Sequence, residues 1–294
     1  MRPGADEKVT TTSGGVERWY YRHVPRGYDA STPTPVVVDL HGYSEGADIH
    51  LLMSELRAYG DEQGFVTITP HGTGPVPRWD TGFGSADMAF IGVLLDEVEA
   101  TLCVDTARVF VTGLSNGAFM TSAIACVYAD RIAAVAPVAG VQAAEGCDAS
   151  RPVPVVAFHG TADTFVAFDG GVGESVADLP NPDGSGETLG DSGLVDETAE
   201  GPSVPEMVAV WAERNGCAVE PTEREVTADV TLVSYDCFPA DAQLYRIEGG
   251  GHTWPGSAFS QSIESVVGFT TMSIDANEIM WDFFVDHPLG VTSG

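Results

Sequence analysis

One stretch limits the possible folds of this chain more than any other: Arg108-Val-Phe-Val-Thr-Gly-Leu-Ser-Asn-Gly-Ala-Phe-Met120. A β-branched and aromatic run leads into G-x-S-x-G, and a small-residue segment from Asn116 to about Tyr128 follows at helical spacing. The pattern predicts a strand, a sharp turn and a helix, with Ser115 exposed at the apex. Gly113 and Gly117 remove side chains that would crowd the turn. A serine hydroxyl is a weak nucleophile at neutral pH, so a serine presented this way needs a base, a group to orient the base, and donors for an oxyanion.

The rest of the chain alternates apolar runs with helical stretches. Val16 to Val24 reads as an early antiparallel strand after a polar, loose start over residues 1–15. Pro35 to Tyr43, Phe65 to Pro70, Ala133 to Gly140 and Val153 to Gly160 are short apolar runs of the kind that form strands buried on both faces. Helices are predicted from about Ala47 to Tyr59, from Ser85 onward, over Val204–Asn215 and from Ile274 to about Val285, with a last strand from Gln243 to Glu248. The expected fold class is α/β, a mostly parallel, doubly wound sheet with helices on both faces, in a single domain over residues 16–290. Residues 170–205 interrupt this rhythm: they are rich in Gly, Pro, Ser, Asp and Glu and contain no Lys or Arg. Such a segment is either a lid or rim, or a solvated insertion.

Composition removes several classes of partner. With 43 acidic against 13 basic residues the formal charge is −30, and Lys8 is the only lysine. Nucleic acid and anionic membrane surfaces would repel such a chain, which points to a neutral or hydrophobic small-molecule or polymeric substrate. No run of about 18 apolar residues spans a membrane. The N-terminus lacks the apolar core of a signal peptide, which leaves open a cytosolic location or a leader already removed. A monomer is expected. The five cysteines form no metal-like pattern with histidine. Cys217 and Cys237 flank a polar stretch and a strand-like run, Val230 to Phe238, and are the first candidates for a disulfide. Among Cys103, Cys126 and Cys147 at most one more bridge can form, with Cys126 readable as a small buried residue inside a helix.

The partners of Ser115 follow from chain order, since the acid and then the histidine come after the serine when the nucleophile sits on a strand–turn–helix elbow. Of the later histidines, His287 lies in a helix tail and His159 ends a strand. His252 alone lies on a Gly-rich loop after the final strand, Gly249-Gly-Gly-His-Thr-Trp-Pro-Gly256. His252 is the expected general base and Asp163 the orienting carboxylate, with Asp169 as the alternative. The oxyanion donors are expected to be the backbone N–H groups of Asn116 and of Tyr43, which follows His41-Gly42. His41 is a candidate brace for that loop. Trp79 and Trp254 are candidates for stacking on an aromatic acyl group or a polymer chain, Trp254 being equally suited to a structural wedge.

Taken together, Leu40-His-Gly, Cys103 through Gly117, His159-Gly-Thr-Ala-Asp163, Gly249 through Gly256 and Ile274-Asp-Ala-Asn-Glu-Ile-Met-Trp-Asp-Phe-Phe284 resemble the polyhydroxybutyrate depolymerase and feruloyl esterase family of secreted ester hydrolases. The resemblance runs from about residue 16 to 290. It implies an α/β-hydrolase fold, a Ser115–Asp163–His252 triad, no cofactor or metal, and export from the cell. The implied reaction is ester hydrolysis through an acyl-enzyme on hydroxycinnamate esters, polyhydroxybutyrate or aromatic polyesters. The competing expectations are a non-catalytic ligand- or polymer-binding protein on the same scaffold, and a peptidase.

Overall fold

The computed structural model describes residues 2–196, 198–237 and 240–290. Among these, ten strands form one sheet in the order β1-β2-β4-β3-β5-β6-β7-β10-β9-β8. Its centre is parallel: β4 (Val66–Pro70), β3 (Thr34–Leu40), β5 (Val104–Leu114), β6 (Ala134–Val138), β7 (Val155–Gly160) and β10 (Ala242–Ile247). Antiparallel strands close both ends, β1 (Asp6–Ser13) and β2 (Val16–His23) at one and β9 (Val230–Tyr235) and β8 (Thr222–Thr227) at the other.

The central strands are mostly apolar where both of their faces are covered. On one face α3 (Ala86–Thr101), α4 (Asn116–Val127) and α5 (Val204–Asn215) bury Phe90, Leu94, Met120, Ile124, Val208 and Trp211. On the other, α1 (Gly46–Met53), α2 (Leu56–Gln63), the short α6 (Ala258–Ser262) and α7 (Glu264–Val267), and α8 (Ala276–Asp286) pack around Phe65, Phe110, Trp281 and Phe284. Phe110 of β5 stacks on Phe284 of α8 at 4.5 Å. The helix read from Val204 to Asn215 has those bounds, with Pro205 in its first turn and a capping box between Ser203 and Glu206.

Several expectations are corrected. Residues 6–13 are not a loose start: they form β1, paired along its length with β2. Both this strand and the unforeseen β8 lie at sheet edges with mostly exposed side chains, so no apolar alternation marks them. The single helix expected from Ala47 to Tyr59 is two helices, broken where Glu55 adopts φ 52°. No glycine or proline announces the break. It is made by tertiary bonds: the Ser54 hydroxyl donates to Asp39 of β3 at 2.6 Å, and Asn277 of α8 donates to the Ser54 carbonyl at 2.7 Å. Cys217 and Cys237 are bridged, and so are Cys126 and Cys147, leaving Cys103 free. Cys126 is therefore a cross-link that ties α4 to the loop after β6. Phe238, read as the end of a strand, lies outside the described residues.

Strand order places the site. The chain runs from β3 outward to β4 and then crosses to β5 on the other side of β3, so the loops after β3 and β5 diverge at a switch point where ligand clefts form. Leu40 lies opposite Gly113 and Val138 opposite Leu114, so the strand ends are level and the loops that follow them share one edge.

Candidate active site

Ser115 stands at the tip of β5 with φ 58° and ψ −119°, a conformation that is strained for a residue with a side chain. The surrounding packing holds it there. The Ser115 amide donates to the Val138 carbonyl at 2.9 Å, and its carbonyl accepts from Phe119 at 3.0 Å. The glycines of the motif work against a neighbouring strand as well as the turn. A Cβ on Gly117 would lie 2.1 Å from the Leu40 carbonyl oxygen, and one on Gly113 would lie 2.6 Å from it. Gly140 is a third requirement, since a Cβ there would lie 2.7 Å from the Ser115 carbonyl oxygen.

His252 and Asp163 meet across 89 residues of sequence, with His252 Nδ1 donating to Asp163 Oδ2 at 2.8 Å. The other carboxylate oxygen accepts from the backbone N–H groups of Phe165 at 2.8 Å and Val166 at 2.9 Å. Burial alone would raise the Asp163 carboxyl; the bond and charge of His252, His159 and the Val166 amide outweigh it and hold the group below the ordinary carboxylate range. The arrangement leaves His252 Nε2 as the ring atom available to act as a base. Asp169, the alternative acid, makes no bond to His252.

The Gly249-Gly-Gly run lets the histidine loop pack tightly. A Cβ on Gly251 would lie 2.1 Å from the Val267 carbonyl oxygen, and a Cβ on Gly160 of β7 would lie 2.1 Å from the Gly250 carbonyl oxygen. The His252 amide donates to Val267 at 2.6 Å, which fixes the loop.

The loop after β3 comes up beside the serine: a Cβ on Gly42 would stand 3.5 Å from the Ser115 Cβ. His41 is fully buried and braces this loop. Its Nε2 accepts the Gly72 amide at 2.8 Å and its Nδ1 donates to the Gly42 carbonyl at 2.7 Å. Burial pushes its imidazole down to about 4, so it is neutral. Asn116 is the first residue of α4, where an amide has no partner within its own helix. Its side chain is occupied elsewhere, accepting the Trp79 amide at 2.7 Å and donating to the Trp79 carbonyl at 3.1 Å.

The two tryptophans lie in the interior instead of on the cavity wall. Trp79 is 3% exposed and its indole donates to the His41 carbonyl at 3.0 Å; Trp254 is 1% exposed and donates to Asn277 at 3.0 Å. Neither offers a ring face to a ligand, so the stacking expectation is corrected in favour of bracing, and for Trp254 the wedge reading is the one that matches its position. His159 is likewise buried, donating to the Val166 carbonyl at 2.9 Å, and His287 donates to the Phe283 carbonyl at 2.7 Å at the end of α8.

Ser115, His252, Gly42 and Tyr43 open on one cavity of about 360 Å³, which Ser44 and Glu45 also reach and whose remaining wall is apolar: Ile49, Met53, Leu114, Phe165, Phe259, Ile263, Val266 and Val267. A larger hollow of about 490 Å³ near the start of β3, lined by Tyr28, Asp61, Arg108 and Trp281, contains none of these groups. Sequence reasoning did not find the wall formed by residues 259–267, which has no motif and approaches the serine only through the fold. Among the described residues of 170–203 there is one short 3-10 helix, Glu174–Asp178, and the Tyr43 hydroxyl donates to the Pro180 carbonyl at 2.8 Å.

A strand-borne serine in this backbone conformation, a later acid and a final-loop histidine at the carboxyl edge of a parallel sheet define an α/β-hydrolase. The chain belongs to the esterase PHB depolymerase family, whose model matches residues 19–181, more than half of it. Feruloyl esterase C of Emericella nidulans is 32% identical over 58% of this chain, a match that spans 65% of that protein's length. Feruloyl esterase B of Piromyces equi is 26% identical over 78% of this chain and 41% of its own. Putative esterase NocK of Nocardia uniformis subsp. tsuyamanensis is 26% identical over 97% of this chain and 85% of its own. Acetyl xylan esterase from Aspergillus awamori shares the fold with a TM-score of 0.62 at 17% identity, over 89% of this chain and 98% of that one.

Proposed function

We propose that the protein is a serine hydrolase of carboxylic esters acting through an acyl-enzyme, with Ser115 as nucleophile, His252 as general base and Asp163 as its orienting acid. The observation that carries this reading is the His252–Asp163 bond at 2.8 Å beside an elbow serine on the same apolar cavity. His252 Nε2 takes the Ser115 proton as the hydroxyl oxygen attacks the ester carbonyl. The Tyr43 and Asn116 amides hold the resulting oxyanion, and His252 returns the proton to the departing alcohol. Water then repeats the sequence on the acyl-serine and frees the acid.

The apolar wall and the charge of −30 favour a neutral ester with an apolar body, such as a hydroxycinnamate ester or a polyester. The named activities of the relatives support the ester class. Two disulfides support export to an oxidising compartment. We further infer that the unit expected over residues 16–290 takes in β1 as well, one catalytic unit in which 170–205 forms a rim. The test is release of product from methyl ferulate, a 3-hydroxybutyrate oligomer and an aromatic polyester film, by wild type and by Ser115→Ala. Serine-dependent release identifies the ester class, and no turnover of any of them would leave a binding role on the same scaffold.

A further inference from the structure

Behind the loop that carries Gly42 and Tyr43 lies a buried charged cluster with no part in the proton transfers above. Asp39 and His50 have no exposed side-chain surface. His50 Nε2 lies 2.6 Å from Asp39 Oδ1, and the Ser54 hydroxyl donates to Asp39 Oδ2 at 2.6 Å. His50 Nδ1 lies 3.1 Å from Glu45 Oε1. With a carboxylate oxygen at each ring nitrogen, both nitrogens carry protons and the ring is an imidazolium. Burial works to lower it, but Asp39 and Glu45 together raise it to about 10. The edge of Trp254 closes the site, 5.8 Å from the His50 ring.

The cluster reaches the active site through Glu45. Its second oxygen accepts the Gly42 amide at 2.5 Å, and its own amide donates to the Gly42 carbonyl at 3.3 Å. Gly42 has no side chain to restrain it, and a Cβ there would press on Glu45 Oε2 at 3.1 Å and make ordinary contact with the Ser115 Cβ at 3.5 Å. The next residue but one, Ser44, has φ 62°, which only an over-determined loop retains. The Asp39–His50 pair and Ser54 already hold α1 and its end onto β3. The Glu45–Gly42 bond adds a direct tie from α1 to the peptide that precedes the Tyr43 amide.

We propose that Glu45 is a positioning residue for the oxyanion loop, holding the Gly42 peptide with a carboxylate that His50, itself held by Asp39, keeps in place. This rests on the ester-hydrolase reading. The cluster is a carboxylate–histidine–carboxylate relay of position rather than of protons, aimed at the oxyanion donor as Asp163 is aimed at the base.

The test compares Glu45→Ala and Glu45→Gln with wild type, using serine titration to count active sites. Glu45→Ala is expected to lower kcat per titrated serine on the order of 100-fold with KM within about twofold, as loss of an oxyanion donor does. Its affinity for phenylboronic acid, which mimics the tetrahedral adduct, falls by about the same factor as kcat/KM. Glu45→Gln keeps an acceptor for the Gly42 amide and can donate to a neutral His50, so it is expected to stay within about fivefold of wild type. Glu45→Met fills the same volume without an acceptor and takes the place of Glu45→Ala if that variant does not fold. Wild-type kcat in a folded Ala or Met variant overturns the proposal, and so does a rise in KM with kcat unchanged. A wild type without Ser115-dependent turnover overturns the hydrolase reading and this inference with it.

Discussion

Tyr43 and Pro180 are joined across 137 residues of sequence by the bond from the Tyr43 hydroxyl to the Pro180 carbonyl, 2.8 Å long. The residue whose amide is proposed for the oxyanion thus also anchors the acidic segment over residues 170–205. Tyr43→Phe removes the anchor and leaves the amide. A half-buried neutral bond contributes about 0.5–1.5 kcal/mol, so limited proteolysis within residues 183–196 should quicken several-fold while kcat changes less than about threefold.

Asp163→Asn should lower kcat by roughly 10³–10⁴-fold with little change in thermal stability, because the amide favours the wrong His252 tautomer. Asp169→Asn should leave kcat within about twofold. Steady-state kinetics on a soluble ester separate the two, and the reverse pattern would move the acid to Asp169.

Gly251→Ala places a methyl 2.1 Å from a backbone oxygen on the segment that also forms the cavity wall. Neither side is a flexible side chain. The expected loss is about 3 kcal/mol or more, beyond ordinary overpacking, read as a fall in Tm, with turnover reduced in whatever fraction folds.

The pH dependence of stability should carry the signature of His50. Its folded value is raised to about 10 from an ordinary 6.5, so between those values the folded state binds the proton that the unfolded chain releases. Stability from this source is full below about pH 6.5 and is lost as pH rises toward 10. Wild-type Tm should fall over that interval, and His50→Gln should flatten the alkaline slope while lowering Tm at neutral pH.

Thiol titration of the denatured chain should give one reactive thiol, Cys103, without reductant and five after reduction. Each bridge closes a loop of about 20 residues, so removing one should cost about 3 kcal/mol by the chain-entropy estimate.

The elbow was legible because its residue types serve a purely local geometry, and the central strands because burial on both faces leaves an unbroken apolar run. Chain order left three histidines after the serine, and only His252 among them lies on a Gly-rich loop after the final strand. What sequence could not supply depends on distant groups meeting. Nothing near His50 in the chain marks it as an imidazolium until Asp39 of β3 and Glu45 are brought to its two nitrogens. Trp79 and Trp254 read as ligand-facing because indole is common in binding sites, but whether a ring faces a cavity or the interior is decided by partners such as Asn277, more than 20 residues away from Trp254. The strands at residues 6–13 and 222–227 stayed hidden for the opposite reason: with little surface to bury, they have no apolar period.

Those same two strands close the ends of the sheet. A twisted sheet of ten strands with an apolar free edge would invite further strands from neighbouring molecules. Here each end finishes in a polar segment, Asp-Glu-Lys-Val-Thr-Thr-Thr-Ser at one and Thr-Glu-Arg-Glu-Val-Thr at the other. A second copy gains little by docking there and meets like charge when it tries, so neither end of the sheet favours polymerisation through the backbone when the molecule is crowded.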